Sequence, residues 1–319
     1  MNTEKENFFR YFLRKQGGVV IFLAVFLFGI IFTTNFADLI NFRNIIQQSA
    51  IPIISCLGMT LVLMTGGIDL SVGYVVGLGC YLSGAFAILW GVPIALVPVL
   101  TLIVGALFGI FNGMLVQIIK IPSFIVTLGT GYIAFGIAQI SSDGTALSSM
   151  PENFLVLGRT IFLGMPMSVW ISLFVVLIFS VLLHKTKYGR FICAVGLNQR
   201  ATKMSGIRSD IIIVSAYAIC GACAAIAGML LGIRVNNATP VMGGSTHTFT
   251  AITAAILGGA SLTGGKGSAY GPVLGILTIV MIENIINLSN ISFYVFQAVL
   301  SVVILIAIVF ENVKNKIMQ

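Results

Sequence analysis

The sequence predicts an all-α polytopic membrane protein of about ten transmembrane helices, with both termini on the cytoplasmic side. Three observations predict it. Of 319 residues, 58% are hydrophobic and only 8% are charged, against roughly a quarter charged in soluble domains. The charges leave long uncharged runs at 16–37, 44–68, 70–119, 121–142, 160–183, 211–233, 235–265, 267–282 and 284–310. A helix needs about 20 apolar residues to cross a bilayer, and the run 70–119 holds two spans divided at Gly91-Val92-Pro93. Finally, with the N-terminus inside and the spans alternating, fourteen of the 17 Lys and Arg fall inside, and only Arg43, Arg159 and Arg234 fall outside. That asymmetry is the positive-inside signal. The net charge of +8 is therefore a matter of topology; spread over one face, it forms no patch for nucleic acid.

The spans are expected near 17–36, 46–65, 70–90, 93–119, 122–140, 165–184, 211–232, 248–264, 267–288 and 292–310. Residues 1–16 and 311–319 form cytoplasmic tails around one transmembrane domain, 17–310. The first apolar run is too long for a cleaved signal peptide and lacks its small-residue cleavage site, so it is expected to anchor the chain. The outer connection 141–164 is polar and punctuated by Gly and Pro. The inner connection 185–210 holds six of the inside positive charges. It either satisfies the charge bias alone or docks a cytoplasmic partner. Its middle, Asn198–Met204, has an Asn start and a Ser205-Gly206 stop, the pattern of a short capped helix.

The stretch GGASLTGGKGS at 258–268 looks like a phosphate-binding loop and is not one. Counting back from Lys266, the first glycine position is Ala260, and the Mg²⁺-binding hydroxyl position after the Lys is Gly267. The stretch instead has a partner: GGIDLSVG at 66–73 aligns without gaps on GGASLTGG at 258–265. Both fall at inner hairpins. Gly66 and Gly67, and Gly258 and Gly259, are read as ending one helix. Asp69, Ser71, Ser261 and Thr263 are read as capping oxygens for the next. Caps matter more near lipid, where helix-end amides find few waters. Two such hairpins on one side suggest a parallel internal duplication.

Ionisable groups inside the spans are few. Asp69 is read as a cap. Glu283 is either a pathway carboxylate or a residue near the outer water, and His247 and His184 are read as rim residues. No Asp/Glu/His relay threads the spans, which counts against a stand-alone secondary transporter or channel for a small polar solute, the main alternative reading. No catalytic constellation appears, so enzymatic chemistry is not expected. The five cysteines show no metal or disulfide spacing, and Cys220 and Cys223 read as packing. Gly105, Gly109 and Gly113, and Gly221, Ala225 and Gly228, form small-residue faces for close helix approach. The uncharged polar residues Asn112, Gln117, Thr127, Thr130, Gln139 and Asn284 suit a passage for a neutral polyol or sugar. Of the span residues, Asn112, Thr127, Thr130, Thr248, Glu283 and Asn284 are taken as pathway candidates.

Four stretches carry a resemblance: GMTLVLMTGGIDLSVG (58–73), GIFNGMLVQIIKIPSFIVTLGT (109–130), YGRFICAVGLNQRATKMSGI (188–207) and ITAAILGGASLTGGKGSAYGPVLG (252–275). Over essentially its whole length the chain resembles the permease subunits of bacterial ABC importers of the ribose/monosaccharide type. The resemblance implies a multi-pass bacterial cell-membrane protein that pairs with a second permease chain, a cytoplasmic ATPase and an extracytoplasmic sugar-binding protein. It implies no cofactor in this chain, ATP and Mg²⁺ belonging to the ATPase. It also implies that 185–210 contains a coupling helix docking on the ATPase through Asn198, Gln199, Arg200, Ala201, Lys203, Met204 and Gly206. Gln199-Arg200-Ala201 departs from the family's usual Glu-Ala-Ala, Thr248 stands where relatives commonly place Glu, and Glu283 where many have Asn.

Overall fold

The computed structural model describes residues 18–292, 294–303 and 305; the expected tails 1–16 and 311–319 lie outside them. The helices are α1 (Gly18–Phe32), α2 (Leu39–Met64), α3 (Val72–Ile88), α4 (Val97–Gln117), α5 (Ser123–Ser142), α6 (Glu152–Arg159), α7 (Met167–Lys185), α8 (Lys187–Leu197), α9 (Gln199–Met204), α10 (Ser209–Val235), α11 (Ser245–Leu257), α12 (Gly271–Leu288) and α13 (Tyr294–Val303). Among the described residues six of these, α2, α4, α5, α7, α10 and α12, are long and apolar enough to cross a membrane. Residues α1, α3, α11 and α13 lie over the remaining expected spans. The two long connections contain structure that the sequence did not announce. The stretch 141–164 carries α6, and the basic stretch carries α8 ahead of the expected short helix α9. Two-residue strands pair Leu147–Ser148 with Asn237–Ala238, and Ile161–Phe162 with Met165–Pro166.

Helix α10 is the spine, and small residues are the reason. Its face packs on α4, α3 and α2. A Cβ on Gly105 would strike the Gly221 carbonyl, one on Gly109 the Tyr217 carbonyl, and one on Gly228 the Val76 carbonyl. A Cβ on Gly58 would lie 2.8 Å from the Cys220 Cα. The small-residue faces read from the sequence are thus helix-on-helix backbone contacts. The ends of α10 suit its dipole: Asp210 lies in the first turn and Arg234 in the last, and Asn236 closes it at φ +57°. Cys220 and Cys223 are buried free thiols within this packing.

Helices α3 and α11 are short because the chain beside each is not helical. Gly67 packs on the Tyr217 hydroxyl near the start of α10, and Gly79 packs on Ala225 beyond its middle. The segment from Thr65 to Ser71 therefore packs against the bundle before α3 begins. On the other side, Ala238 packs on Gly84, Pro240 on Gly77, and Gly244 on Gly73. The segment Asn236–Gly244 thus descends along α3 from its far end before α11 starts. The glycine-rich stretch 66–73 thus joins α2 to α3 with Gly66 exposed and Asp69 and Ser71 buried. Replacing Gly105 by Val should abolish the monodisperse, folded membrane protein, because its Cβ meets backbone rather than a movable side chain. Gly129→Ala, where nothing lies within 4 Å, should leave it intact; yield in detergent-solubilised size exclusion checks both.

Candidate functional site

The first concentration of polar side chains is the seam around residues 65–73. Out of helix, this backbone needs partners, and α5 supplies them. Ile68 N–H donates to Ser123 Oγ at 3.1 Å and Leu70 N–H to Thr127 Oγ1 at 2.9 Å. Asp69, 1% exposed, accepts from Ser71 N–H at 2.9 Å and from Ser71 Oγ at 2.5 Å. Asp69 thus bonds the residue that precedes α3 rather than an amide of α3 itself. The Ser71 hydroxyl makes no cap bond to α3 either, being turned to Asp69 and accepting from Asn112 Nδ2 at 2.9 Å. Across the seam, Thr248 accepts from Gly73 N–H at 2.9 Å, and Gly244 N–H donates to the Gly73 carbonyl at 2.9 Å.

Asn112, Thr127, Thr130 and Thr248 are buried. The structure therefore gathers three of the pathway candidates, Asn112, Thr127 and Thr248, around one broken segment, with their hydroxyls or amide groups bonded to it. Asn284 is committed elsewhere, in a reciprocal amide pair with Asn41 at 3.0 and 2.8 Å that clasps α12 to α2. Thr130 Oγ1 donates to the Thr127 carbonyl within α5.

The second concentration lies at the basic end of the bundle. There the two glycine stretches meet each other and the end of α8. Gly265 N–H donates to the Met64 carbonyl at 2.9 Å. A Cβ on Gly264 would lie 2.8 Å from the Gly196 carbonyl and 2.9 Å from Gly66 N, and one on Gly196 would strike the Met64 carbonyl. Gly66, Gly259, Gly264 and Gly265 have φ of +81°, +89°, +86° and +77°, which glycine adopts at no steric cost; Gly67 and Gly258 do not. Ser261 and Thr263 bond to each other at 2.9 Å and sit too far upstream to cap α12. Ser268 Oγ, which the sequence reading passed over, accepts from Gly271 N–H there at 3.0 Å.

Helix α9 follows α8 and packs on α8 and α10. Asn198 caps it, accepting from Ala201 N–H at 2.9 Å, and Gly206 turns the chain away at φ +81°. Asn198, Gln199, Arg200, Ala201, Lys203, Met204 and Gly206 are all exposed; Thr202 alone is buried. Lys203 Nζ lies 3.4 Å from Asp210 Oδ2, and Gln117 Nε2 donates to Asp210 Oδ1 at 2.5 Å. Asp210 thereby ties α9 and α4 to the start of α10. The sequence reading missed this residue, although an acid at the start of a helix beside a basic loop is a readable signal.

A third feature lies toward the opposite end of α10, where α2, α10, α11, α12 and α13 enclose a cavity of about 380 Å³. Glu283 and His247 both line it, with Arg234. His247 is thus no isolated rim residue.

A bundle of apolar helices with two half-buried non-helical segments packed on it has the build of a multi-pass membrane permease, since irregular backbone is tolerated at membrane depth only when protein satisfies it. Residues 41–309 match the family of branched-chain amino acid transport system permease components, and the chain belongs to that family. It is 33% identical to the ribose import permease protein of Haemophilus influenzae, over 98% of both chains. It is 36% identical to that of Bacillus subtilis over 92% of both. It is 34% identical to the L-arabinose transport system permease protein of Escherichia coli over 95% of this chain and 92% of the relative. No solved structure matches the chain.

Thr127→Val should destabilise the protein by about 1–3 kcal/mol, leaving the Leu70 amide buried without a partner, while Thr127→Ser should restore most of the loss. Thermal midpoints of the purified protein read the difference.

Proposed function

We propose that the chain is the transmembrane permease subunit of an ATP-driven monosaccharide importer in a bacterial cell membrane. The carrying observation is the exposed, Asn-capped α9 at the basic end, joined to α8, whose Gly196 meets the junction of the two glycine stretches. A docked partner that moves α9 would push through α8 on the end of α2 and the segment before α12. The near-full-length likeness to ribose and L-arabinose permeases supports the solute class.

In this reading ten helices cross the bilayer with both termini cytoplasmic, and a second permease chain, identical or paralogous, completes the pathway. An extracytoplasmic binding protein delivers the sugar near the end of α10 that carries Arg234. A cytoplasmic ATPase docks on Asn198, Gln199, Arg200, Ala201, Lys203, Met204 and Gly206. ATP and Mg²⁺ act in the ATPase, so this chain carries out no covalent chemistry and needs no cofactor of its own. Gly66, Gly259, Gly264 and Gly265 are the points at which the bundle flexes between outward- and inward-open states.

Mild-detergent pull-down of the tagged chain from its native membranes should bring down an ATPase with measurable activity. Arg200→Glu with Lys203→Glu should lose that ATPase while inserting normally. A double variant that still retains it would overturn the docking assignment. A chain that emerges alone, yet moves sugar in proteoliposomes, would overturn the ATP-driven reading.

A further inference from the structure

Polar side chains in this bundle fall into two groups, and the difference points to a ligand. Thr60, Thr101, Thr253 and Thr278 each donate back to the carbonyl four residues earlier, and Thr127 and Thr248 are bonded to the broken segment; at the seam single atoms, Asn112 Oδ1 and the Tyr217 hydroxyl, are buried without a partner among the described residues. In the cavity of about 380 Å³ toward the Arg234 end, whole side chains are left open. The side chains of Gln48, Thr250, Glu283 and Asn287 line it, and none makes a hydrogen bond to another protein group among the described residues. Glu283 makes no ion pair within 4 Å among them either, although the charge of Arg234 acts on it.

A backbone acceptor adds to this set. Pro52 lies inside α2 and also lines the cavity; lacking an N–H, it cannot satisfy the carbonyl of Gln48 four residues back. Helix α2 stays continuous through Pro52, and the Gln48 carbonyl lacks the donor that any other residue at 52 would supply. Ile51 and Val280, 2% and 4% exposed, supply an apolar floor, while Arg234 and Asn287 are exposed at its mouth. A few convergent polar groups over an apolar floor, in a volume within the usual ligand range of roughly 300–1,000 Å³, is the form of a small-molecule site.

We propose that this cavity is a solute subsite for a neutral, polyhydroxylated molecule of pentose or hexose size, with Glu283 as its principal hydroxyl acceptor. One carboxylate and one guanidinium balance, which disfavours an ion of either sign. Gln48, Thr250 and Asn287 offer donors and acceptors together, which hydroxyl groups satisfy and a purely apolar ligand does not. The subsite rests on the importer reading above: it is where sugar released from a binding protein is first held by the permease, and it discriminates among sugars.

The test uses the complete importer in proteoliposomes, with D-ribose, L-arabinose and D-galactose as solutes. Glu283→Gln should lower the sugar moved per ATP hydrolysed about ten- to a hundredfold, the scale of one charge-assisted hydrogen bond. It should also alter the ranking of the three sugars. Thr250→Phe, which fills the cavity by an independent route, should lower transport of all three. Unchanged transport and unchanged ranking in both variants would overturn the subsite. Loss of complex assembly in Glu283→Gln is resolved by Thr250→Phe: a fully active filled cavity overturns the proposal, and a blocked but assembled one upholds it. An unmodified chain that captures no ATPase would overturn the importer reading instead, which separates the two failures.

Discussion

The backbone between Thr65 and Ser71 is the constraint on which much of the bundle depends. It packs against the bundle out of helix, half-buried with Asp69 and Ser71 fully buried, and each unpaired N–H or C=O away from water costs several kcal/mol. Two neighbours and the segment itself meet that requirement: α5 with Ser123 and Thr127, α11 with Thr248, and Asp69. Each donor or acceptor fixes the depth of the helix that carries it. The relative heights of α3, α5 and α11 are therefore set by hydrogen bonds to a segment that has no ladder of its own. The glycines around it, Gly67 against Tyr217 and Gly73 against Gly244, let the segment lie close enough for those bonds to form.

This also explains what the sequence could and could not disclose. Composition, charge spacing and Lys/Arg placement carry the helical membrane class, because lipid imposes them on every span. The small-residue faces of α4 and α10 are legible for the same reason: backbone contact leaves no room for a side chain. The capped helix α9 is legible from Asn198 and Gly206. The role of Thr127, Asn112 and Thr248 is not, since a hydroxyl or amide in an apolar run looks the same whether it faces a passage or a broken backbone. One signal was present. The connection 65–71 carries Asp69 and no Lys or Arg, unlike a surface hairpin on the basic side. Ser71, Ser261 and Thr263 show a related ambiguity: local spacing identifies a capping residue type but not which of several hydroxyls reaches the amide.

The basic end and the seam form one mechanical unit. Helix α9 is held to α10 and α4 through Asp210, and the last turn of α8 carries Gly196, which touches Met64 and Gly265. Met64 is the last residue of α2, and the broken segment begins immediately after it. A displacement of α9 thus reaches the centre of the bundle through backbone contacts, with no flexible side chain between to absorb it. The exposed Lys203–Asp210 pair, 66% and 47% accessible, is worth little by itself. It positions α9 and leaves it free to shift, which a buried pair would resist.

Polar groups committed to protein and polar groups left open mark different parts of the molecule. At the seam, Thr127 and Thr248 are engaged in holding backbone and Asn112 donates to Ser71 Oγ, so a solute could displace them only by breaking the bonds that set the helix heights. In the cavity beside Pro52, Gln48, Thr250, Glu283 and Asn287 hold nothing in place, and a solute can bond them without disturbing the fold. A permease must bind its cargo weakly enough to release it in each cycle, and groups with no structural duty can be engaged and released at no cost to stability. That separation of duties places solute contact along α12 and the first turns of α11, and leaves the buried seam as the frame against which they move.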